Sequence, residues 1–105
     1  MTIDSVGSFT ARGAEDYNQF RPTLASLENG SFAVAWGREI FADNDILGEI
    51  FTSGVNSTGS FTVRGTGDNT QRDATITGFD NGNFAVAWED IQVPDIIQGE
   101  VFTSG

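Results

Sequence analysis

An internal repeat restricts the fold of this 105-residue chain more than any other feature of its sequence. Two long blocks recur at an offset of 52 residues, and a third recurs at an offset of 51. The matching blocks are residues 7–13 and 59–65, residues 29–36 and 81–88, and residues 48–54 and 99–105. Since both order and spacing are kept, we interpret residues 1–105 as one domain of two similar units, about 3–54 and 55–105.

Each unit shows the pattern of four short β-strands. We predict them, in the first and second unit, at 22–27 and 74–79, at 32–36 and 84–88, at 46–51 and 97–102, and at 8–12 and 60–64. Phe32, Val34 and Trp36 alternate with Ala33 and Ala35, so this strand is apolar on both faces. Such a strand is expected between two layers. No segment combines helical periodicity, caps and sufficient length, so we predict an all-β fold.

The connection between the first two strands of each unit contains Asn-Gly, as Asn29-Gly30 and Asn81-Gly82. Asn-Gly between apolar runs favours a type I′ turn, which needs φ > 0 at both residues. Four antiparallel strands in about fifty residues, repeated, are typical of the blades of a β-propeller. We therefore predict two four-stranded blades in each chain.

Residues 22–36 read Pro-Thr-Leu-Ala-Ser-Leu-Glu-Asn-Gly-Ser-Phe-Ala-Val-Ala-Trp. This string resembles repeats of large secreted bacterial proteins of the RTX and adhesin kind, loosely Gln-x-x-Pro-x-Val-x-x-Leu-x-Asp-Gly-Gly-Phe-Val-Val-x-Trp. Gln19 and Gln71 match the leading Gln, whereas Ala74 replaces the Pro, and Glu49 and Glu100 replace a later Gln. The resemblance implies a β-propeller in a protein that is extracellular or on the cell surface. These departures leave the implied fold unchanged and weaken the case for an inherited ligand site.

Two blades do not close a ring, and the second unit ends after its third strand. Residues 3–5 align with residues 55–57, so the N-terminus of one chain is placed to continue the last blade of another. We expect the N-terminal strand to be exchanged between chains, closing a head-to-tail ring. A homotrimer with six blades is favoured over a tetramer because the arrangement resembles small two-blade propeller lectins that close as trimers.

Composition excludes several function classes. Fifteen acidic residues against five basic ones give a formal charge of −10, which argues against nucleic acid as a partner. No apolar stretch approaches the length of a membrane helix, and the N-terminus lacks the pattern of a cleavable signal peptide. The chain contains neither cysteine nor histidine, so thiolate and imidazole chemistry are absent from it.

A repeated trio suggests recognition of glycan hydroxyl groups. Arginine and carboxylate side chains can bond neighbouring hydroxyls while an indole covers the apolar face of a sugar. The candidate ligand-binding residues are Arg12, Arg64, Glu49, Glu100, Trp36 and Trp88. The alternative for the tryptophans is a position in the core, and the alternative for the charged residues is a structural ion pair. We expect a non-catalytic binding module for a glycan or cell-surface partner, or a purely structural or adhesive repeat.

We predict no cofactor, no metal and no catalytic residues. Asp43-Asn44-Asp45 with Glu49 offers oxygen ligands that calcium prefers, but the second unit has only Val93-Pro94-Asp95 there. Nothing in the sequence identifies a pair of carboxylates as the two catalytic acids of a glycosidase. Gln19 and Gln71 recur together with the acids Asp16 and Asp68, and we expect these glutamines to bond backbone across a turn.

Overall fold

The chain folds into two antiparallel β-sheets in a computed structural model, which describes residues 3–5, 7–11, 18–40, 43–63, 70–91 and 94–103. The strands are β1 (Gln19–Ser26), β2 (Phe32–Ile40), β3 (Asp43–Phe51), β4 (Ser57–Thr62), β5 (Thr70–Gly78), β6 (Phe84–Ile91) and β7 (Ile96–Phe102). Within these ranges the one helical element is a 3₁₀ turn at Glu28–Gly30, and no helix could span a membrane. The all-β prediction is confirmed.

The first sheet contains four strands in the order β1-β2-β3-β4, each antiparallel to its neighbour. The β2–β3 hairpin is longer than predicted, since pairing continues from Trp36 and Leu47 to Ile40 and Asp43. Arg38 Nη2 donates to Asp45 Oδ2 at 3.0 Å across this extension, and Arg38 Nε donates to Oδ1 at 3.3 Å. A two-point ion pair therefore ties together a part of the hairpin that carries few apolar side chains.

The second sheet contains three strands in the order β5-β6-β7. Its registers repeat those of the first sheet: Val86 is opposite Glu100 as Val34 is opposite Glu49. Among the described residues no fourth strand pairs with β7, so β7 is the outermost described strand of this sheet.

The predicted type I′ turns are not formed. Strands β1 and β2 are joined by five residues, closed by a bond from the Leu27 amide to the Ser31 carbonyl at 2.8 Å. The second connection is closed in the same way by the Phe79 amide and the Asn83 carbonyl. The left-handed conformation is adopted by the glycine of each Asn-Gly pair, with φ 79° at Gly30 and 84° at Gly82, and not by Asn81. The longer loop therefore needs one left-handed residue instead of two.

The two sheets pack through unlike faces. The first sheet presents small residues, including Ala33 and Ala35, which are completely buried. The second sheet presents large residues, and Phe84, Val86 and Trp88 complete the same hydrophobic cluster. Strand β5 contacts β1, β2 and β3 of the first sheet. Large side chains of one sheet thus fill the space above the small side chains of the other, as close packing requires.

A second cluster covers the opposite face of the first sheet. Val34, Trp36, Leu47 and Phe51 are buried there, with Phe32 and the N-terminal Ala11 packed against them. The predicted strand at 8–12 is not formed as a paired strand in residues 8–11, and Arg12 lies outside the described residues. Within residues 7–11 the chain contributes side chains to this face, such as those of Phe9 and Ala11, and belongs to no paired strand of either sheet.

Strands β1 and β5 carry matching irregularities. Register shifts occur between Phe20 and Thr23 and between Arg72 and Thr75. At the centre of these bulges Arg21 and Asp73 have φ values of 53° and 57°. Their side chains pair across the sheet–sheet interface, with Arg21 Nη1 3.4 Å from Asp73 Oδ1. Equivalent positions of the two units thus carry opposite charges and meet each other.

Candidate functional site

The predicted binding residues fall into two groups. Arg12 and Arg64 lie outside the described residues, so the arginine part of each predicted trio is not described. Glu49 lies on β3, Glu100 on β7, Trp36 on β2 and Trp88 on β6. In each sheet the glutamate is opposite a valine and the tryptophan is opposite the residue two positions before the glutamate. The sheet therefore brings Glu and Trp to diagonal positions on one face, about 7–8 Å apart by standard strand geometry.

Both indoles are buried. Trp36 is 3% exposed and Trp88 is 2% exposed, and each belongs to a hydrophobic cluster. Neither Nε1 atom has a hydrogen-bond partner. A buried ring offers no open face on which a sugar can stack, so within one chain the tryptophans occupy the core position that the alternative describes.

The glutamates are more accessible than the indoles. Glu49 Oε2 accepts a hydrogen bond from Ser57 Oγ at 2.5 Å, which links β3 to the start of β4. Ser57 is repeated as Ser5, and Glu49 as Glu100, which lies on the outermost described strand of the second sheet.

The described part of the structure adds no ligand to the calcium site considered at Asp43-Asn44-Asp45 and Glu49. Both carboxylate oxygens of Asp45 accept hydrogen bonds from Arg38. In the described part of the chain, no group of three or more acidic residues is arranged to hold a metal ion. Gln71 is buried, and its Oε1 atom has no partner, so this atom does not make the expected backbone bond.

Among the described residues, the outward apolar face of each sheet is covered by no second sheet. The outward face of the first sheet contains an apolar groove of about 400 Å³, bounded by Phe9, Phe20, Leu24 and Trp36. We call it the large-residue face. The outward face of the second sheet contains a depression of about 270 Å³ lined by Thr75, Thr77, Ala85, Ala87, Gly99 and Val101. We call it the small-residue face.

Equivalent residues of the two units differ in burial according to which face is covered. Ile46 is completely buried between the sheets, whereas its equivalent Ile97 is 74% exposed on the small-residue face. Ile76 packs into the interface, whereas its equivalent Leu24 is 58% exposed on the large-residue face. The repeat itself predicts these faces, because two units have one interface between them and one unmatched face each.

Comparison with known proteins identifies no relative of this chain. It matches no model of a protein family, no curated protein and no solved structure. The resemblance to propeller repeats consequently stays a prediction from the residues, and the two free faces carry the functional argument.

Proposed function

We propose that the chain is a two-blade subunit of a β-propeller that closes head to tail as a homotrimer. In this proposal the assembled ring is a non-catalytic extracellular or cell-surface module whose repeated inter-blade sites bind a glycan or a surface partner. The observation that carries the assembly is the pair of free faces. One chain exposes a small-residue face at one end and a large-residue face at the other, the same two kinds of face that it packs together inside.

The residues of the free faces support a repeated interface. Ile97, Gly99 and Val101 stand where Ile46, Gly48 and Ile50 line the internal interface. Leu24, Phe32, Val34 and Trp36 stand where Ile76, Phe84, Val86 and Trp88 line its other side. At these positions the apolar or glycine character is kept in both units. Since the faces differ from each other, each chain offers both halves, and the contact is heterologous and can close a ring.

Charge supports the same arrangement. The internal interface pairs Arg21 of the first sheet with Asp73 of the second. When the interface is repeated between copies, Asp73 of one copy lies beside Arg21 of the next, so unlike charges alternate around the ring. Like charges at these equivalent positions would instead repel at every new contact.

Gly78 marks a position at which the contact between copies differs from the internal one. Gly78 approaches the Ser26 carbonyl so closely that a Cβ atom on Gly78 would overlap it. In the repeated interface Ser26 takes the place of Gly78, and its Cβ faces that approach. We therefore expect the strands to be slightly farther apart at this point between copies than within a chain.

Oligomeric state is the primary test. Size-exclusion chromatography with light scattering should give the mass of three chains of 11.2 kDa each. A chain that stays monomeric at concentrations of tens of micromolar would overturn the proposed assembly, and a tetramer would overturn only the number of blades.

Binding is tested separately on the assembled ring. A glycan array identifies ligands, and titration then compares the original protein with Arg64→Lys, which keeps the charge and loses the planar guanidinium. Weaker binding by a correctly assembled variant supports the arginine as a two-point contact, and equal affinity excludes it. Several weak sites on one ring would act together on a multivalent surface.

A purely structural or adhesive ring is the second candidate, and the burial of both indoles favours it. With Trp36 and Trp88 in the core, the aromatic platform common in sugar sites has to come from another residue. A trimer that binds nothing on a broad array would favour this structural role over glycan recognition.

A further inference from the structure

Phe61 joins the two sheets. It lies on β4 directly opposite Gly48 of β3, and a Cβ atom on Gly48 would overlap the Phe61 ring. The other side of the ring packs into the second sheet, with centroid distances of 5.1 Å to Phe84 and 4.8 Å to Phe102. Phe61 thus lies on a glycine of its own sheet and packs against a stacked pair of aromatic rings of the other sheet.

Phe9 makes half of the same arrangement. It is the equivalent of Phe61, and its ring lies 5.3 Å from Phe32 and 4.6 Å from Phe51, the equivalents of Phe84 and Phe102. No glycine lies beneath it in the described residues of its own chain, and the side chain is exposed. Phe9 therefore has the position that Phe61 has relative to the second sheet. This position would suit a residue of a further sheet packed on the outward face of the first sheet.

Gly99 is the unused counterpart of Gly48. It lies on β7, and the three nearest described atoms to a Cβ built there belong to Val86 and Ala87 of its own sheet, whereas the nearest three at Gly48 all belong to the Phe61 ring. Strand β7 is the open edge of the second sheet, whereas Phe9 lies on the outward face of the first sheet. Because these surfaces belong to opposite sides of the chain, Phe9 meets a Gly99 only in a second copy.

We propose that residues 5–10 of one copy form the fourth strand of the second sheet of a neighbouring copy, antiparallel to β7, with Phe9 lying on Gly99. The register follows from the β3–β4 pairing, moved to the equivalent residues. The resulting pairs, N-terminal segment first, are Thr10 with Gln98, Phe9 with Gly99, Ser8 with Glu100, Gly7 with Val101 and Ser5 with Phe102. This inference rests on the proposed ring and defines the contact that closes it.

The contact combines two kinds of interaction at one place. The added strand continues the hydrogen-bonded ladder beyond β7, the outermost described strand of the second sheet, and so covers an edge strand. Ser5, the equivalent of Ser57, is then positioned to donate to Glu100 as Ser57 donates to Glu49. Phe9 keeps its contacts with Phe32 and Phe51 and covers Gly99 of the neighbour, so one side chain joins a sheet of each copy.

Cysteine cross-linking tests the register, and the chain has no cysteine of its own. The variant Ser8→Cys/Glu100→Cys places both cysteines directly opposite, within the Cα separation that a disulfide needs. Mild oxidation should convert it to covalent dimers and trimers on a non-reducing gel. Asp4→Cys/Glu100→Cys is the matched control, since four residues displace its cysteine by about 13 Å along the strand. Glu49→Cys/Ser60→Cys is the equivalent pair within one chain and should form an intrachain disulfide.

A glycine substitution tests the Phe9 contact. In its own chain the new Cβ of Gly99→Ala meets Val86 O at 3.3 Å, a small adjustment, but it should displace the Phe9 ring of the neighbour. We expect trimer dissociation at a concentration at least about tenfold higher. Gly59→Ala is the control, because nothing lies within 4 Å of a Cβ there, and its assembly should be unchanged.

The outcomes separate the two proposals. A trimer by light scattering that forms no interchain disulfide in Ser8→Cys/Glu100→Cys would overturn the strand register and leave the ring intact. A protein that is monomeric in both experiments would overturn the ring itself. Equal assembly of Gly99→Ala and Gly59→Ala would refute the Phe9–Gly99 contact.

Discussion

Ile46 and Ile97 occupy the same position in the two units and differ in burial, so together they test ring closure. Ile46 is completely buried between the sheets, and Ile97 is 74% exposed in the single chain. If the ring forms, the small-residue face is covered and Ile97 becomes buried as Ile46 is. We therefore compare Ile97→Ala with Ile46→Ala and with the unchanged protein.

The free-energy cost of Ile97→Ala differs between a lone chain and a closed ring. For a lone chain, truncating an exposed side chain changes the free energy of unfolding by less than about 0.5 kcal/mol. In a closed ring, removing a buried isoleucine side chain costs about 2–5 kcal/mol at each interface. A trimer has three such interfaces, so even the lower value weakens its assembly by roughly 6 kcal/mol. Because the half-dissociation concentration varies as the square root of a trimer's dissociation constant, it should rise by about 100-fold or more.

Light scattering over a dilution series provides the assay, with circular dichroism to follow the fold at each concentration. Ile97→Ala should keep its β-sheet spectrum at high concentration and dissociate at far higher concentrations than the original protein. Ile46→Ala should lower the stability of the single chain itself by about 2–5 kcal/mol, measured by denaturant unfolding.

An Ile97→Ala protein with unchanged mass at every concentration and an unchanged unfolding midpoint would refute the reasoning. That result would mean that Ile97 stays exposed in solution and that the small-residue face is not covered by a second copy.

Three further predictions concern the cores and the N-terminus. Trp36→Ala and Trp88→Ala should each lower the free energy of unfolding by about 3–5 kcal/mol in denaturant titrations, and a normal midpoint would place that indole outside the core. Gly48→Ala should destabilise the single chain by about 1–3 kcal/mol by displacing the ring stacked on it, whereas Gly59→Ala should stay within about 0.5 kcal/mol in the same titration. Deleting residues 1–12 should uncover the outward cluster and leave β7 unpaired, so light scattering should find aggregates or incomplete rings, and an intact trimer would contradict this.

Strand content and layering could be predicted from the sequence. Alternation of large and small apolar residues along 32–36 has the period of a strand, and apolar side chains on both faces require a layer on each side. The structure has both properties, since Ala33, Ala35, Val34 and Trp36 are all buried. The repeat also predicted that the second unit would repeat the strand order of the first, and the registers of β6 and β7 confirm it.

Turn geometry and strand ends could not be predicted in the same way. Asn-Gly is compatible with more than one loop, and here the hydrogen bonds beyond it, such as that from Leu27 to Ser31, select a five-residue connection. The β2–β3 hairpin continues past the apolar pattern because Arg38 and Asp45 meet across it. Both outcomes depend on hydrogen bonds that form only when the two strands are paired. The pattern of apolar residues does not specify these bonds.

For the candidate site, the sequence predicted that Glu and Trp lie on neighbouring strands. It did not predict how accessible their side chains are. The indoles could equally have faced solvent, and their burial depends on what covers each face of the sheets. In the N-terminal segment, residues 7–11 belong to no paired strand of either sheet, although the sequence predicted a strand at 8–12.

The sequence alone determined the repeat, the strands and which side of each strand is large or small, because these follow from residue type and period. Only the tertiary structure decided which of two equivalent faces is covered. Ile46 and Ile97 have the same side chain in nearly the same local sequence, yet one is buried and the other is exposed. Burial is a property of the packing between layers, and in the described residues the two sheets make one such contact with each other.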